Sequence, residues 1–239
     1  MKSLKTYFPF SPPIGHVELP KELVDDLNKG CDDIVKDEEL AKSADFSRQL
    51  VGQVEQELII PQDIIQKWAN WFASQILIYS KNHYDQLFIP NQNVTNMSKK
   101  EVYENVANMK IKVQSAWYVR SFDGDYNPVH IHTSCTLTCV GFLKVPDLSK
   151  ERIKHNPGYK NRYMGDGPAG NLEVLGNNSQ GPWEHNRLAL MPEIGNWYLF
   201  PANIRHAVYP FRNDGERRSF SINFDTRLPW DNPPNFNKE

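Results

Sequence analysis

From residue 111 to residue 225 the chain is a series of short β-prone runs separated by Gly, Pro, Asn and Asp: "IKVQSAWYVRSF", "CTLTCVGFLKVP", "NLEVLG", "RLALMP", "GNWYLFPA", "HAVYPF" and "RRSFSINFD". Strands of this length in series point to a sandwich or a barrel. The chain's 17 prolines and 13 glycines, scattered between short apolar runs, favour many turns over long helices and so a β-rich core. The other half reads differently. In "LPKELVDDLNKG", Leu23, Val24 and Leu27 share a helix face, and Gly30 is expected to close that surface helix. In "PQDIIQKWANWFASQILIYS", Ile64, Ile65, Trp68, Trp71, Phe72, Ile76 and Tyr79 form a helical stripe suited to packing on a sheet. Residues 83–97 read as an irregular link, and "SKKE" at 98–101 as a capping box that opens another helix with Val102 and Val106 inward. The fold class is therefore expected to be α+β, in one domain over residues 1–239, with mainly helical support at 1–110 and a β-rich core at 111–228.

Composition excludes several roles. A net charge of -2 with 23% charged residues gives no basic excess, so nucleic acid is not an expected partner. "MKSLKTYFPFSPPIG" has prolines where a signal peptide needs an apolar run, and "WFASQILIY" is too short to span a bilayer. A cytoplasmic protein with no membrane partner is expected. Cys31, Cys135 and Cys139 lack C-x-x-C spacing, which argues for reduced packing residues over a disulfide framework or a thiolate metal site.

The chemistry is concentrated in "NPVHIHTSC", residues 127–135. On a strand, His130 and His132 project from one face and Ile131 into the opposite layer, so two imidazoles aim at one spot. H-x-H alone fits a shared metal and a pair of separately bonded surface histidines equally well. His206, in "FPANIRHAVYPF", has a comparable strand context and is the candidate third ligand; His16, His83, His155 and His185 do not. Three imidazoles with open positions suit zinc as well as iron, and spacing does not name the metal. Asp123 and Asp125 in "FDGDYNP" are read first as turn residues, with a role as base, carboxylate ligand or support for a histidine ring left open. Downstream, Arg217, Ser219, Ser221 and Asn223 alternate with Arg218, Phe220, Ile222 and Phe224. Were the first of these faces buried, Arg217 and Ser219 would suit a carboxylate, the guanidinium offering a planar donor fork and the hydroxyl a third donor. A solvent-exposed polar face is the plainer reading of R-x-S. The long polar stretch at 147–181 is expected to be a lid or binding loop.

Taken together, "SAWYVRSFDGDYNPVHIHTSCTLTCVGFLKVP" and "MPEIGNWYLFPANIRHAVYPFRNDGERRSFSINF" resemble the iron(II)- and 2-oxoglutarate-dependent oxygenases. More narrowly they look like a prolyl-hydroxylase-like branch, found in bacteria and in phages of photosynthetic marine bacteria, that has H-x-H at the metal position. The resemblance covers roughly residues 110–225, with a weaker similarity at "FPFSPPIGHVELP". It implies a double-stranded β-helix, or jelly roll, with the N-terminal helices packed on it. It also implies Fe(II) held by His130, His132 and His206, and 2-oxoglutarate held at its distal carboxylate by Arg217 and Ser219. No catalytic side chain beyond the metal ligands is implied. The reaction would hydroxylate a small-molecule or peptide substrate, consuming O2 and releasing succinate and CO2, in the cytoplasm of a bacterium or of a phage's host. Two positions depart from the family pattern: His132 replaces the usual carboxylate ligand, and Phe142 stands where related prolyl hydroxylases often have a cosubstrate-binding tyrosine. Trp117, Tyr118, Trp183 and Trp197 are candidates for the wall of the site. Two other readings remain, a non-catalytic β-helix binding module and a cupin-like metalloenzyme that needs no Arg217–Ser219 pair.

Overall fold

Strand pairing divides the structure, a computed structural model that describes residues 13–82, 98–148, 169–176 and 187–228, into two antiparallel sheets. In chain order the elements are β1 (Gly15–Glu18), α1 (Lys21–Val35), α2 (Glu38–Ser43), β2 (Gln56–Ile59), α3 (Gln62–Asn82), α4 (Lys99–Ala107), β3 (Lys110–Ser121), β4 (Asn127–His130), β5 (Leu137–Lys144), β6 (Leu172–Leu175), β7 (Arg187–Leu190), β8 (Asn196–Pro201), β9 (Arg205–Val208) and β10 (Arg217–Arg227). The larger sheet has the order β1-β8-β5-β10-β3-β2 and the smaller one β4-β9-β6-β7. This is the α+β, double-stranded β-helix arrangement, with the helices in the N-terminal part.

Alternation along β10 sets the layering. Phe220, Ile222 and Phe224 point to the helical side, where Phe72 of α3 meets Phe220 and Phe224 at ring-centroid distances of 6.4 and 6.1 Å. Trp71 and Phe72 also pack on Trp197, so the α3 stripe is core, each large buried side chain contributing about 1.5–3 kcal/mol. Arg218, on the same side, ties the sheet to α1 by bonds to Asp32 and Asn28 and is steadied by Glu216 beside it in sequence. A second core lies between the sheets, where Val140, Phe142 and Phe200 face Leu172, Val174 and Leu190. The three cysteines are free. No helix among the described residues is long and apolar enough to cross a membrane.

Several expectations meet the structure directly. The capping box is present, with the Ser98 amide on Glu101 and the Glu101 amide on Ser98, and Val102 and Val106 are buried. Gly30 does not end its helix: α1 runs on to Val35, and a Cβ on Gly30 would stand 2.4 Å from Ile64 Cδ1 and 2.8 Å from Tyr118 Oη. Glycine is there for close approach between helix and sheet. The N-terminal part is also less purely helical than its periodicity suggests, because β1 and β2 supply the two edges of the larger sheet. Four-residue strands carry too little alternation to register beside helices of 15 and 21 residues. Within the 147–181 stretch, Leu172–Leu175 is strand β6, as "NLEVLG" reads; the link at 83–97 and residues 149–168 and 177–181 lie outside the described residues.

Candidate metal centre

The three histidines meet because β4 and β9 are neighbours. His130 ends β4 directly opposite His206 of β9, and their rings lie 4.3 Å apart between centroids. His132 arrives differently from the simple strand picture. Strand β4 stops at His130, with a register shift between Asn127 and His130, and His132 is held by its own amide donating to Ala202 O at 2.9 Å. Ile131 consequently does not enter a core layer; it is 45% exposed and lines the cavity. Pro128, with no N–H to give to a ladder, accounts for the broken pairing at this point. Two residues past His132, Ser134 has φ 61, the sole non-glycine positive φ among the described residues.

Each ring is fixed from behind. His130 Nδ1 lies 2.7 Å from Pro128 O, His206 Nδ1 lies 2.9 Å from Ile204 O, and the Asn223 side chain bonds the His132 ring. Asn223 is itself held by Thr138, whose hydroxyl donates to Asn223 Oδ1 at 2.9 Å. Donation from Nδ1 of His130 and His206 to these carbonyls leaves their Nε2 bare, the state in which imidazole ligates a metal. Trp117 stacks on His132 and Phe200 sets its edge against His206. Burial lowers all three pKa values, His132 to about 4 and His206 to about 3, with the neighbouring His130 adding to both shifts. The rings are neutral at pH 7, and the three ligand atoms lie within 4.8 Å of one another.

The spacing fits one ion. His132 Nε2 and His206 Nε2 are 3.2 Å apart. Two nitrogens held ~2.0–2.1 Å from one metal stand ~2.9 Å apart at a right angle and ~3.4 Å at the tetrahedral angle. At this distance one Nε2–H can donate to the other Nε2, and a cation that takes both lone pairs replaces that proton.

The same cavity, about 400 Å³, has Arg217 and Ser219 on its opposite sheet. The polar face of β10 is not solvent-exposed: Arg217 is 1% and Ser219 3% exposed. Arg217 lies over the Phe142 ring at 5.2 Å, and its Nε, Nη1 and Nη2 have no hydrogen-bond partner among the described residues. Desolvation lowers its pKa to about 10, so it stays charged at pH 7. A buried, unpaired guanidinium costs several kcal/mol, and a planar carboxylate meets its donor fork. The residues present thus fit both a divalent metal and a carboxylate ligand.

The other candidates separate cleanly. Asp125 accepts from the Glu55 and Phe122 amides, and Asp123 meets Arg212 at the surface; neither lines the cavity, so both are turn residues. Trp117 lines the cavity, whereas Tyr118 and Trp197 belong to the helical-side core, and Trp183 lies outside the described residues. His16 stacks on Tyr198 away from the cluster. Two residues with no sequence signal of their own join the site: Asn223, legible only as the end of the polar β10 face, and Glu57, a buried carboxylate on the unrecognised strand β2.

Comparison with known proteins agrees with this geometry. Residues 115–223 match the family model described as "Putative 2OG-Fe(II) oxygenase", 2OG being 2-oxoglutarate. No curated protein matches the sequence. Similar solved structures include a prolyl-4-hydroxylase from Pseudomonas putida, at 13% identity and TM-score 0.51, covering 91% of this chain and 94% of that one. A prolyl hydroxylase from Trichoplax adhaerens, solved with a hypoxia-inducible-factor peptide fragment, has 12% identity and TM-score 0.51 over 89% and 83%. The alpha-ketoglutarate-dependent carbocyclase SnoK from nogalamycin biosynthesis has 11% identity and TM-score 0.52 over 91% and 82%. At such identities these likenesses establish the fold. The family match, over residues 115–223, falls on the segment that carries the histidine cluster, Arg217 and Ser219, and it is over this segment that the chain is similar to the 2OG-Fe(II) oxygenases.

Proposed function

We propose that the protein is an iron(II)- and 2-oxoglutarate-dependent dioxygenase that hydroxylates its substrate, consuming O2 and releasing succinate and CO2. One observation carries this reading: three imidazoles converge in the same cavity as a buried guanidinium that has no partner among the described residues. A purely structural metal site has no use for the guanidinium, and neither does a cupin-like enzyme that works without 2-oxoglutarate.

On this reading His130, His132 and His206 hold the metal, and Arg217 and Ser219 take the distal carboxylate of 2-oxoglutarate. Iron with its cosubstrate supplies the oxidising chemistry when bound, while the chain binds, orients and excludes water. Three neutral imidazoles leave a divalent ion its full charge, whereas two imidazoles and a carboxylate reduce it to +1; the tris-histidine site therefore favours the 2-oxoglutarate dianion. Phe142 gives Arg217 a ring to lie on, where a tyrosine would add a hydroxyl. Trp117 holds His132 from the side and walls the cavity. Residues 111–228 act as the catalytic core and the N-terminal helices as its support.

Calorimetric titration of 2-oxoglutarate into oxygen-free, Fe(II)-loaded protein tests the proposal. Binding in wild type, weakened at least ~10-fold by Arg217→Ala, is expected; absence of binding to metal-loaded wild type would overturn it.

A further inference from the structure

Glu57 is the second buried ion in this cavity. It is 1% exposed, it lines the cavity, and its Oε1 has no hydrogen-bond partner among the described residues. The Asn127 side chain bonds the carboxylate, and the other nearby charges, Asp45 and Asp125, are of the same sign. No cation among the described residues pairs with it. Register keeps it apart from Arg217: Glu57 pairs with Val119, which pairs with Ser219, whereas Arg217 pairs with Ser121. Two strand spacings of ~4.8 Å and a two-residue offset along the sheet separate the two charges.

A buried carboxylate with an orphan oxygen is costly and persists where a ligand completes it. Its neighbours suit a cation. Trp117, diagonal to Glu57 on the adjacent strand at roughly 7–8 Å between Cα atoms, stacks on His132. Phe46, whose amide donates to Glu57 O, lies 5.6 Å from Trp117 between ring centroids. Aromatic rings that line the same cavity as a carboxylate favour a protonated nitrogen there through the ring quadrupole. Burial pushes the Glu57 carboxyl up to about 7, as expected of an acid lacking its counter-charge.

We propose that Glu57, flanked by Phe46 and Trp117, is the specificity-determining residue of the cavity and receives a protonated nitrogen, ammonium or guanidinium, of the primary substrate. Arg217 and Glu57 then divide the cavity between an anionic cosubstrate and a cationic substrate. The assignment of the anionic end rests on the oxygenase reading; the cationic subsite rests on Glu57 alone.

The test uses the full chain loaded with Zn(II), as a redox-silent metal, and 2-oxoglutarate. Binding of N-acetyl-L-lysine N-methylamide and of its neutral counterpart N-acetyl-L-norleucine N-methylamide is measured by saturation-transfer NMR at pH 8. We expect the lysine derivative to bind at least ~10-fold more tightly, and Glu57→Gln to erase the difference while leaving 2-oxoglutarate binding intact. Equal binding of the two probes, binding of neither, or a preference that survives Glu57→Gln would overturn the proposal. The wild-type comparison of the two probes stands whether or not the variant folds. Failure of 2-oxoglutarate to bind, with the lysine preference intact, would sink the oxygenase reading and spare the subsite.

Discussion

Arg217 and Glu57 open into one cavity from β10 and β2, on either side of β3, each 1% exposed and each with polar atoms that find no partner among the described residues. Opposite charges buried in one chain usually pair, and the register of β2, β3 and β10 keeps these two from doing so. The stability lost to two lone ions is what a ligand-binding site gives up in return for ready-made recognition.

Arg217→Met should therefore stabilise the metal-free protein. It removes an uncompensated buried charge and keeps the apolar volume over Phe142, for a gain of ~1–3 kcal/mol by urea unfolding. The same variant should lose the increase in stability that 2-oxoglutarate gives the metal-loaded wild type.

Glu57 makes stability depend on pH with a definite sign. Its folded-state pKa is raised from 4.5 to about 7, so between those values the folded state binds the extra proton and stability falls as pH rises. The lowered His132 and His206 act oppositely, their contribution being present above their ordinary 6.5 and lost as pH falls toward 4 and 3. Comparing wild type with Glu57→Gln isolates the carboxyl: the variant's advantage at pH 8 should exceed that at pH 5 by roughly 1–3 kcal/mol, read from urea midpoints at both pH values.

His132→Asp would give the site a carboxylate ligand and lower its net charge by one. The 2-oxoglutarate dissociation constant should then rise several-fold, measured by calorimetry without oxygen on the metal-loaded variant. An unchanged constant would show that the charge of the third ligand does not govern cosubstrate affinity.

Gly30→Ala should destabilise the protein by ~1–3 kcal/mol, although alanine is the better helix former. The new methyl must displace Ile64 Cδ1 and Tyr118 Oη across the contact between α1 and its neighbours. Thermal unfolding of the single variant reads this directly.

Much of this was legible in residue order. The alternation of Arg217, Ser219, Ser221 and Asn223 with Phe220, Ile222 and Phe224 predicts one polar and one core face of β10, and both are found. His130, His132 and His206 follow from H-x-H and a third histidine on a strand. What order does not carry is pairing. Glu57 reads as one acid among the 29 acidic residues until β2 is seen beside β3, and Asn223 as a polar residue until its side chain meets His132. The end of β4 at His130 is equally hidden, because Ala202, which holds the His132 amide, is 70 residues away in sequence.

The most direct test of the account is the visible spectrum of metal-stripped protein reconstituted with Fe(II) and 2-oxoglutarate under nitrogen. A weak charge-transfer band from the bidentate chelate is predicted, absent in His206→Ala and requiring more 2-oxoglutarate in Arg217→Ala. Bound iron with no band at saturating 2-oxoglutarate would contradict it.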